Sequence, residues 1–185
     1  MATIQIKIDN KTLEMDDQDF YSIINGMNKN IYDSAQRIYE DHRLGLLNSN
    51  GSQESKYLWS QDEVSASLLK AIKDKQVRHY FNELKKLARK LRKHDKKIVT
   101  WLAGYFGIRS LDTSQNRQKL NQKLSRERGK AARNGTGLLS WVNEPEYQKL
   151  VQKSFEMANG IQDLVSKLDE QIQNRVSKGP AFKER

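Results

Sequence analysis

Asp74-Lys-Gln-Val-Arg-His-Tyr-Phe-Asn-Glu-Leu-Lys-Lys-Leu-Ala-Arg-Lys-Leu-Arg-Lys-His-Asp-Lys-Lys97 is the stretch on which the fold turns. Val77, Tyr80, Phe81, Leu84, Leu87, Ala88 and Leu91 recur at three- and four-residue spacing, and Asp74 stands where a helix N-cap would. Arg78, Lys85, Arg89, Arg92 and Lys96, with Asn82, keep the same spacing on another side. At 100° per residue these six fall within an arc of about 80°, centred about 120° from the apolar stripe. Lys86, Lys90, Lys93 and Lys97 widen the basic face. Such a helix can pack with one face and meet phosphates with the other.

Downstream, Ile98 to Ile108 is the most apolar run, and its Trp101 and Phe106 lie among aliphatics, as core residues do. Residues 109–137 then change character. They carry Arg109, Arg117, Lys119, Lys123, Arg126, Arg128, Lys130 and Arg133, with Leu111, Leu120 and Leu124 as the large apolar residues of the segment up to Gly137. So few apolar side chains predict a basic arm that is mobile until a polyanion orders it. Gly135-Thr-Gly137 lacks the Lys-Ser/Thr that would make it a phosphate loop. Asn143 is placed to cap a last long helix with Pro145 in its first turn and an apolar stripe from Tyr147 to Val176, which Gly179-Pro180 is expected to stop.

Upstream, Ser60-Gln-Asp-Glu63 has the form of a capping box before Val64, Leu68, Leu69 and Ile72. Residues 44–57 are a polar loop. Asp16, Asp17 and Asp19 precede a helical pattern of Phe20, Ile23, Ile24, Met27, Ile31, Ala35 and Ile38, so cap and first-turn roles explain them better than a metal does. Ile4, Ile6 and Ile8 alternate as a short strand, Asp9-Asn10-Lys11 turns it, and Thr12 to Met15 returns.

Charge divides the chain into three. Residues 1–69 hold 6 basic and 11 acidic side chains, residues 70–133 hold 20 and 5, and residues 134–185 hold 7 of each. The formal net charge of +10 is therefore the remainder of a strongly basic block and an acidic one. A block of that kind repels itself unless an anion lies against it, and nucleic acid is the obvious anion. Leu, Ile, Val and Phe total 43 of 185 residues, little above the roughly 20% at which charged chains stay disordered. The core is expected to be thin.

Cysteine is absent, which excludes disulfides, thiolate metal sites and cysteine nucleophiles. No apolar stretch suits a membrane span or a signal peptide, so a cytoplasmic protein without a membrane partner is expected. His42, His79 and His94 are the only histidines. His79 and His94 sit 15 apart in basic sequence, a spacing that suits neither a metal pair nor a nucleophile and base. With no elbow serine and no flanked carboxylate pair, the composition supports binding rather than turnover, with no cofactor and no metal.

Lys75-Gln-Val-Arg-His-Tyr-Phe-Asn-Glu-Leu-Lys-Lys-Leu87 resembles the helical small subunit of type III CRISPR–Cas effector complexes, in the sequence Gln-Val-Arg followed by an aromatic pair and an amphipathic continuation. A run resembling Ile98-Val-Thr-Trp-Leu-Ala-Gly104 and a long closing helix complete the likeness, over roughly residues 60–108 and 140–176. The resemblance implies a non-enzymatic subunit of an antiviral ribonucleoprotein that stacks on backbone subunits, or on copies of itself, and lines the channel of the guide–target duplex. By motif it carries over Gln76, Val77, Arg78, Tyr80 and Phe81, with Arg78 as the nucleic-acid contact. Two rivals stand beside it. Leu102 to Leu111 resembles the first helix and turn of a helix-turn-helix, with Gly107 at the turn and Gln115, Asn116 and Arg117 facing bases. The third is a mobile-element adaptor or inhibitor whose basic face occupies another protein's nucleic-acid channel.

Together these readings predict a mainly α single domain over 1–185, a helical bundle with a small N-terminal β element. Residues 1–59 form an acidic region with strand and helix, 60–108 and 140–176 the helical core, and 109–139 the basic arm. The expected function is sequence-independent binding of nucleic acid, RNA before DNA. The expected contacts are Arg78, Lys85, Arg89, Arg92, Lys93 and Lys96 on the helix and Arg109, Arg126, Arg128, Lys130 and Arg133 on the arm.

Overall fold

The computed structural model describes residues 3–8, 10–137 and 139–183, and the side chains of residues 8, 59–63 and 176–183 lie outside what it describes. It is mainly helical, with a small antiparallel hairpin at the N-terminus. Strand β1 (Thr3–Ile8) pairs with β2 (Lys11–Asp16) in a register that sets Thr3 opposite Asp16 and Ile8 opposite Lys11. Ile4 and Ile6 turn to the core, as their alternation requires. Asp9, expected in the turn, lies outside the described residues.

Helix α1 (Asp17–Leu44) starts where the acidic cluster predicts: Asp16 is the N-cap and accepts from the Asp19 amide at 2.9 Å. The three aspartates are thus explained by the helix end. Phe20, Tyr21, Ile24, Met27, Ile31, Ala35 and Ile38 are buried, whereas Ile23, expected among them, is 48% exposed. Ile23 lies at the edge of the stripe, about 40° beyond Met27 around the helix. Gly45, at φ 72, closes α1, its amide bonding to His42 O, while the Leu46 amide bonds to Asp41 O.

Helix α2 (Ser55–Ala71) begins five residues before Ser60, so the Ser60–Glu63 signature lies inside the helix and does not start it. Ser55 is drawn to that point by its own hydroxyl, which donates to Asp95 Oδ2 at 2.5 Å. Helix α3 (Lys75–Tyr105) is capped by Asp74, which accepts from the amides of Gln76 and Val77, and it continues past Lys97 through the apolar run. Helix α4 (Ser114–Arg133) is capped by Thr113.

Residues 109–139 thus depart from the expected mobile arm. Leu120, Leu124 and Ala131 are buried, and fully burying a leucine is worth about 1.5–3 kcal/mol. Three apolar positions suffice because the partners come from elsewhere in the chain. Helix α5 (Pro145–Lys183) runs on through Gly179-Pro180 to Lys183. Pro180 costs the helix the one bond that its amide would have given to the carbonyl of residue 176, and α5 ends three residues later.

Two cores result. The first joins the hairpin, α1, α2, the N-terminal part of α3 and the C-terminal part of α5, around Phe20, Ile38, Phe81, Leu84, Leu91 and Leu168. The second joins the end of α3, α4 and the start of α5, around Ile98, Leu102, Leu120, Leu124, Trp141 and Tyr147. Trp101 and Phe106, expected in the core, are half-buried and pack against this second cluster.

A polar layer lies between them, built from one residue on each long helix: His42 of α1, Asp95 of α3 and Ser154 of α5, all buried. His42 Nδ1 is 2.7 Å from Ser154 Oγ, and its Nε2 is 2.6 Å from Asp95 Oδ1. The Ser52 amide also donates to Asp95 Oδ1, at 3.1 Å. Gly51 passes so close that a Cβ would stand 2.0 Å from Asp95 Oδ2, and its φ of 96 also favours glycine.

Candidate nucleic-acid interface

The basic face of α3 splits into two strips with different surroundings. On the α2 side Lys85, Arg89 and Arg92 border a shallow cleft with Ile31, Leu58, Ser65 and Ala88. Arg92 is 5% exposed, and its guanidinium donates to the Leu58 carbonyl at 3.0 Å. It braces α3 against α2. The expectation of Arg92 as a phosphate contact therefore gives way, because a guanidinium held inside by a carbonyl cannot also face a ligand. Helical spacing alone could not tell the last residue of a solvated face from the first residue of a packed one. Lys85 is half-buried, while Arg89 and Lys96 are exposed.

The other strip faces open solvent. Lys75, His79, Lys86, Lys90, Lys93 and Lys97 are all exposed and share one side of α3, at steps of three, four or, from His79 to Lys86, seven residues. Arg78, also exposed, stands with Lys75, His79 and Asn82 in an open groove at the N-terminal end of α3. Lys90, Lys93 and Lys97 border a second groove, of about 600 Å³, between α3 and α5. Lys153 closes it from α5, Leu87, Met157 and Gly160 supply its apolar part, and Glu156 is the one carboxylate on its wall. Gly160 allows the close approach beneath it, since a Cβ there would stand 2.8 Å from Leu87 Cδ2. Among the described residues none of these four lysines is in an ion pair. Each lysine alone has the ordinary reading of a solvated side chain. Four around one groove concentrate positive potential.

His94 also borders this groove but is only 3% exposed. Its Nε2 donates to Leu150 O at 2.7 Å. Burial holds its pKa below the ordinary histidine value, against the Leu150 bond, and His42, Lys153 and Lys97 push the same way. It adds no positive charge at neutral pH.

Helix α4 contributes a separate basic surface. Arg126, Lys130 and Arg133 are exposed on it, with Lys130 3.7 Å from Glu127, and Arg109 is exposed in the segment before it. Arg128 differs. It is half-buried, donates to the Leu47 carbonyl, and lines a cleft with Asp41, Asn48, Gly51 and Gln53. Burial lowers its pKa. It ties α4 to the loop after α1, so its expected phosphate role also gives way.

Lys90, Lys97 and Lys153 were outside the expected contact set. The first two lie on the face that the sequence marks as basic. Lys153 had no such signal, because it sits in the charge-neutral third of the chain and meets the others only when α5 packs on α3.

The helix-turn-helix geometry loses two of its three base-reading side chains. Asn116 Nδ2 donates to Ser110 O at 2.8 Å, and Arg117 donates to Leu111 O at 2.8 Å. Both are spent on the loop before α4, while Gln115 stays exposed. Within residues 76–81, Val77 and Phe81 are fully buried core residues, Gln76 and Arg78 are exposed, and Tyr80 is half-buried.

The order Ser154–His42–Asp95 brings nucleophilic catalysis to mind. Such a serine must reach a substrate carbonyl, whereas Ser154 has no exposed surface and lies 3.3 Å from Leu150 O on its own helix. The cluster is a buried joint between helices. Among the described residues there is no grouping of His, Asp and Glu that could hold a metal ion, and no helix is long and apolar enough to cross a membrane. Comparison with known proteins finds no matching family model, no matching curated protein and no matching solved structure.

Proposed function

We propose that this protein binds nucleic acid by its phosphate backbone, without reading base sequence, as a subunit of a larger ribonucleoprotein. The observation that carries the reading is the groove between α3 and α5, with Lys90, Lys93, Lys97 and Lys153 around it. A phosphate backbone seated there releases condensed counterions and relieves the mutual repulsion of the lysines. Lysines act as point charges and do not select a base, which separates this surface from a groove-reading helix. RNA is the favoured ligand, and an effector complex of the type III CRISPR kind is the assembly that the residues 75–87 resemblance points to. Arg78 lies at the far end of the same helix, so a bound strand can follow α3 from one open groove to the other.

The test is a binding titration of labelled RNA with the triple variant Lys90→Glu, Lys93→Glu and Lys97→Glu. A control variant reverses Lys29, exposed on α1. Binding is expected to fall at least a hundred-fold in the triple variant and to persist in the control, with helicity by circular dichroism unchanged in both. Equal affinity of the triple variant and the parent would overturn the proposed surface.

A further inference from the structure

The lysine row of α3 does not end at Lys97. Trp101 and Tyr105 continue it, because a step of four residues returns to nearly the same side of a helix. Their rings are stacked, with centroids 5.5 Å apart and planes 21° apart. Trp101 is half-buried and fixed from two directions. Its Nε1 donates to Glu146 Oε2 at 3.0 Å, and its ring lies 5.4 Å from that of Tyr147, which is fully buried. Tyr105 is 40% exposed, with its hydroxyl 3.3 Å from Ser140 Oγ and the edge contact of Phe106 at 5.1 Å. An aromatic ring at the surface is common. Here the ring is held in one orientation from its face, its edge and its tip, and it stands at the end of a row of lysines.

We infer that Tyr105, backed by Trp101, is a stacking platform for an unpaired base, and that the strand on the α3–α5 groove is single-stranded nucleic acid. The inference rests on the nucleic-acid reading above and specifies the state of the ligand. A duplex keeps its bases stacked on one another, whereas a single strand can turn a base out onto an aromatic ring. From Lys90 to Tyr105 the helix advances about 22 Å, enough for a few nucleotides to run along the lysines before one meets the ring. Charge fixes which part of the strand goes where. Glu146 stands at the edge of Trp101 and repels phosphate, so the backbone keeps to the Lys93 and Lys97 side while the base takes the ring. Arg109, four residues beyond Tyr105, is exposed in the segment that follows α3 and offers a further cation to the strand.

The experiment compares three labelled ligands: a short RNA of mixed sequence, the same backbone without bases, and the RNA in a duplex. Each is titrated against the full chain and against Tyr105→Ala, Tyr105→Phe and Tyr105→Trp. The parent is expected to bind the single strand more tightly than either the abasic strand or the duplex. Tyr105→Ala should lose five-fold to a hundred-fold on the single strand, the range that base–aromatic stacking commands, with no loss on the abasic strand. The Phe and Trp variants should keep parental affinity. Equal binding of base-bearing and abasic strands by the parent would overturn the platform, as would unchanged binding by Tyr105→Ala, and either result would leave the lysine groove standing. Failure of the parent to bind any of the three ligands would overturn the groove and the platform together.

Discussion

At the scale of single residues, the same chemistry serves opposite ends according to burial. Arg92 and Lys93 are neighbours in sequence, yet Arg92 is spent on the Leu58 carbonyl while Lys93 borders the groove. Asp95, two residues on, accepts from His42, the Ser52 amide and Ser55, and so joins α1, α2, α3 and the loop between the first two. Asp95→Ala strands three buried donors at once, and breaking a buried hydrogen-bonded pair from one side costs about 3–5 kcal/mol. Urea denaturation should show a loss of that order, with no comparable loss for Lys93→Ala. His94 gives a pH dependence. Its folded-state pKa lies below the ordinary value of 6.5. The unfolded chain therefore binds the proton more readily, and the stabilisation is complete above about pH 6.5 and is lost as pH falls through the folded-state value. Thermal denaturation between pH 7.5 and 5.5 should show stability falling with acidity, and His94→Gln should flatten part of that slope. These roles left no trace in sequence, since His42, Asp95 and Ser154 are far apart in the chain and meet only after three helices pack.

Elements were far more legible, for a physical reason: caps and periodicity are local. The alternation at Ile4 to Ile8, the cap at Asp16 and the cap at Asp74 each depend on residues within one turn of themselves, and each is where its pattern puts it. Boundaries failed where a distant partner intervened. Ser55 starts α2 early because its hydroxyl finds Asp95, and α4 is a packed helix because Leu120 and Leu124 find the end of α3 and Trp141. Counting apolar residues inside residues 109–137 could not reveal partners that other segments supply. The ordered α4 makes a direct prediction for the protein without nucleic acid. Amide hydrogen exchange should show protection across Ser114–Arg133, strongest around Leu120 and Leu124, and adding RNA should change it little. Exchange at the rate of an unstructured chain until RNA is added would restore the mobile arm.

For the whole molecule, what matters is how charge is laid over a two-core bundle. α3 belongs to both cores, so its open strip is held rigid along its length by packing on the opposite side. Rigidity lets lysines contributed by two different helices act as one surface, which a flexible arm of equal charge could not do. The number of those lysines sets a measurable quantity. Neutralising each phosphate of a single strand contributes about 0.7 to the slope of log affinity against log salt. Contacts by Lys90, Lys93, Lys97 and Lys153 therefore predict a slope of about −3, with any further contact at Arg78 or Arg109 making it steeper. Replacing Lys153 by glutamine should reduce the slope by about 0.7 and weaken binding alike for every base sequence, because a point charge on a backbone carries no sequence information. A slope near zero would mean that the groove holds no backbone, whatever the lysines suggest. A slope that changed for one RNA sequence and not for another would mean that base edges are being read. The Lys153 variant is the informative one, because that residue joins the basic face only through the fold, and its effect on the slope reports the packed α3–α5 pair rather than the charge of one helix.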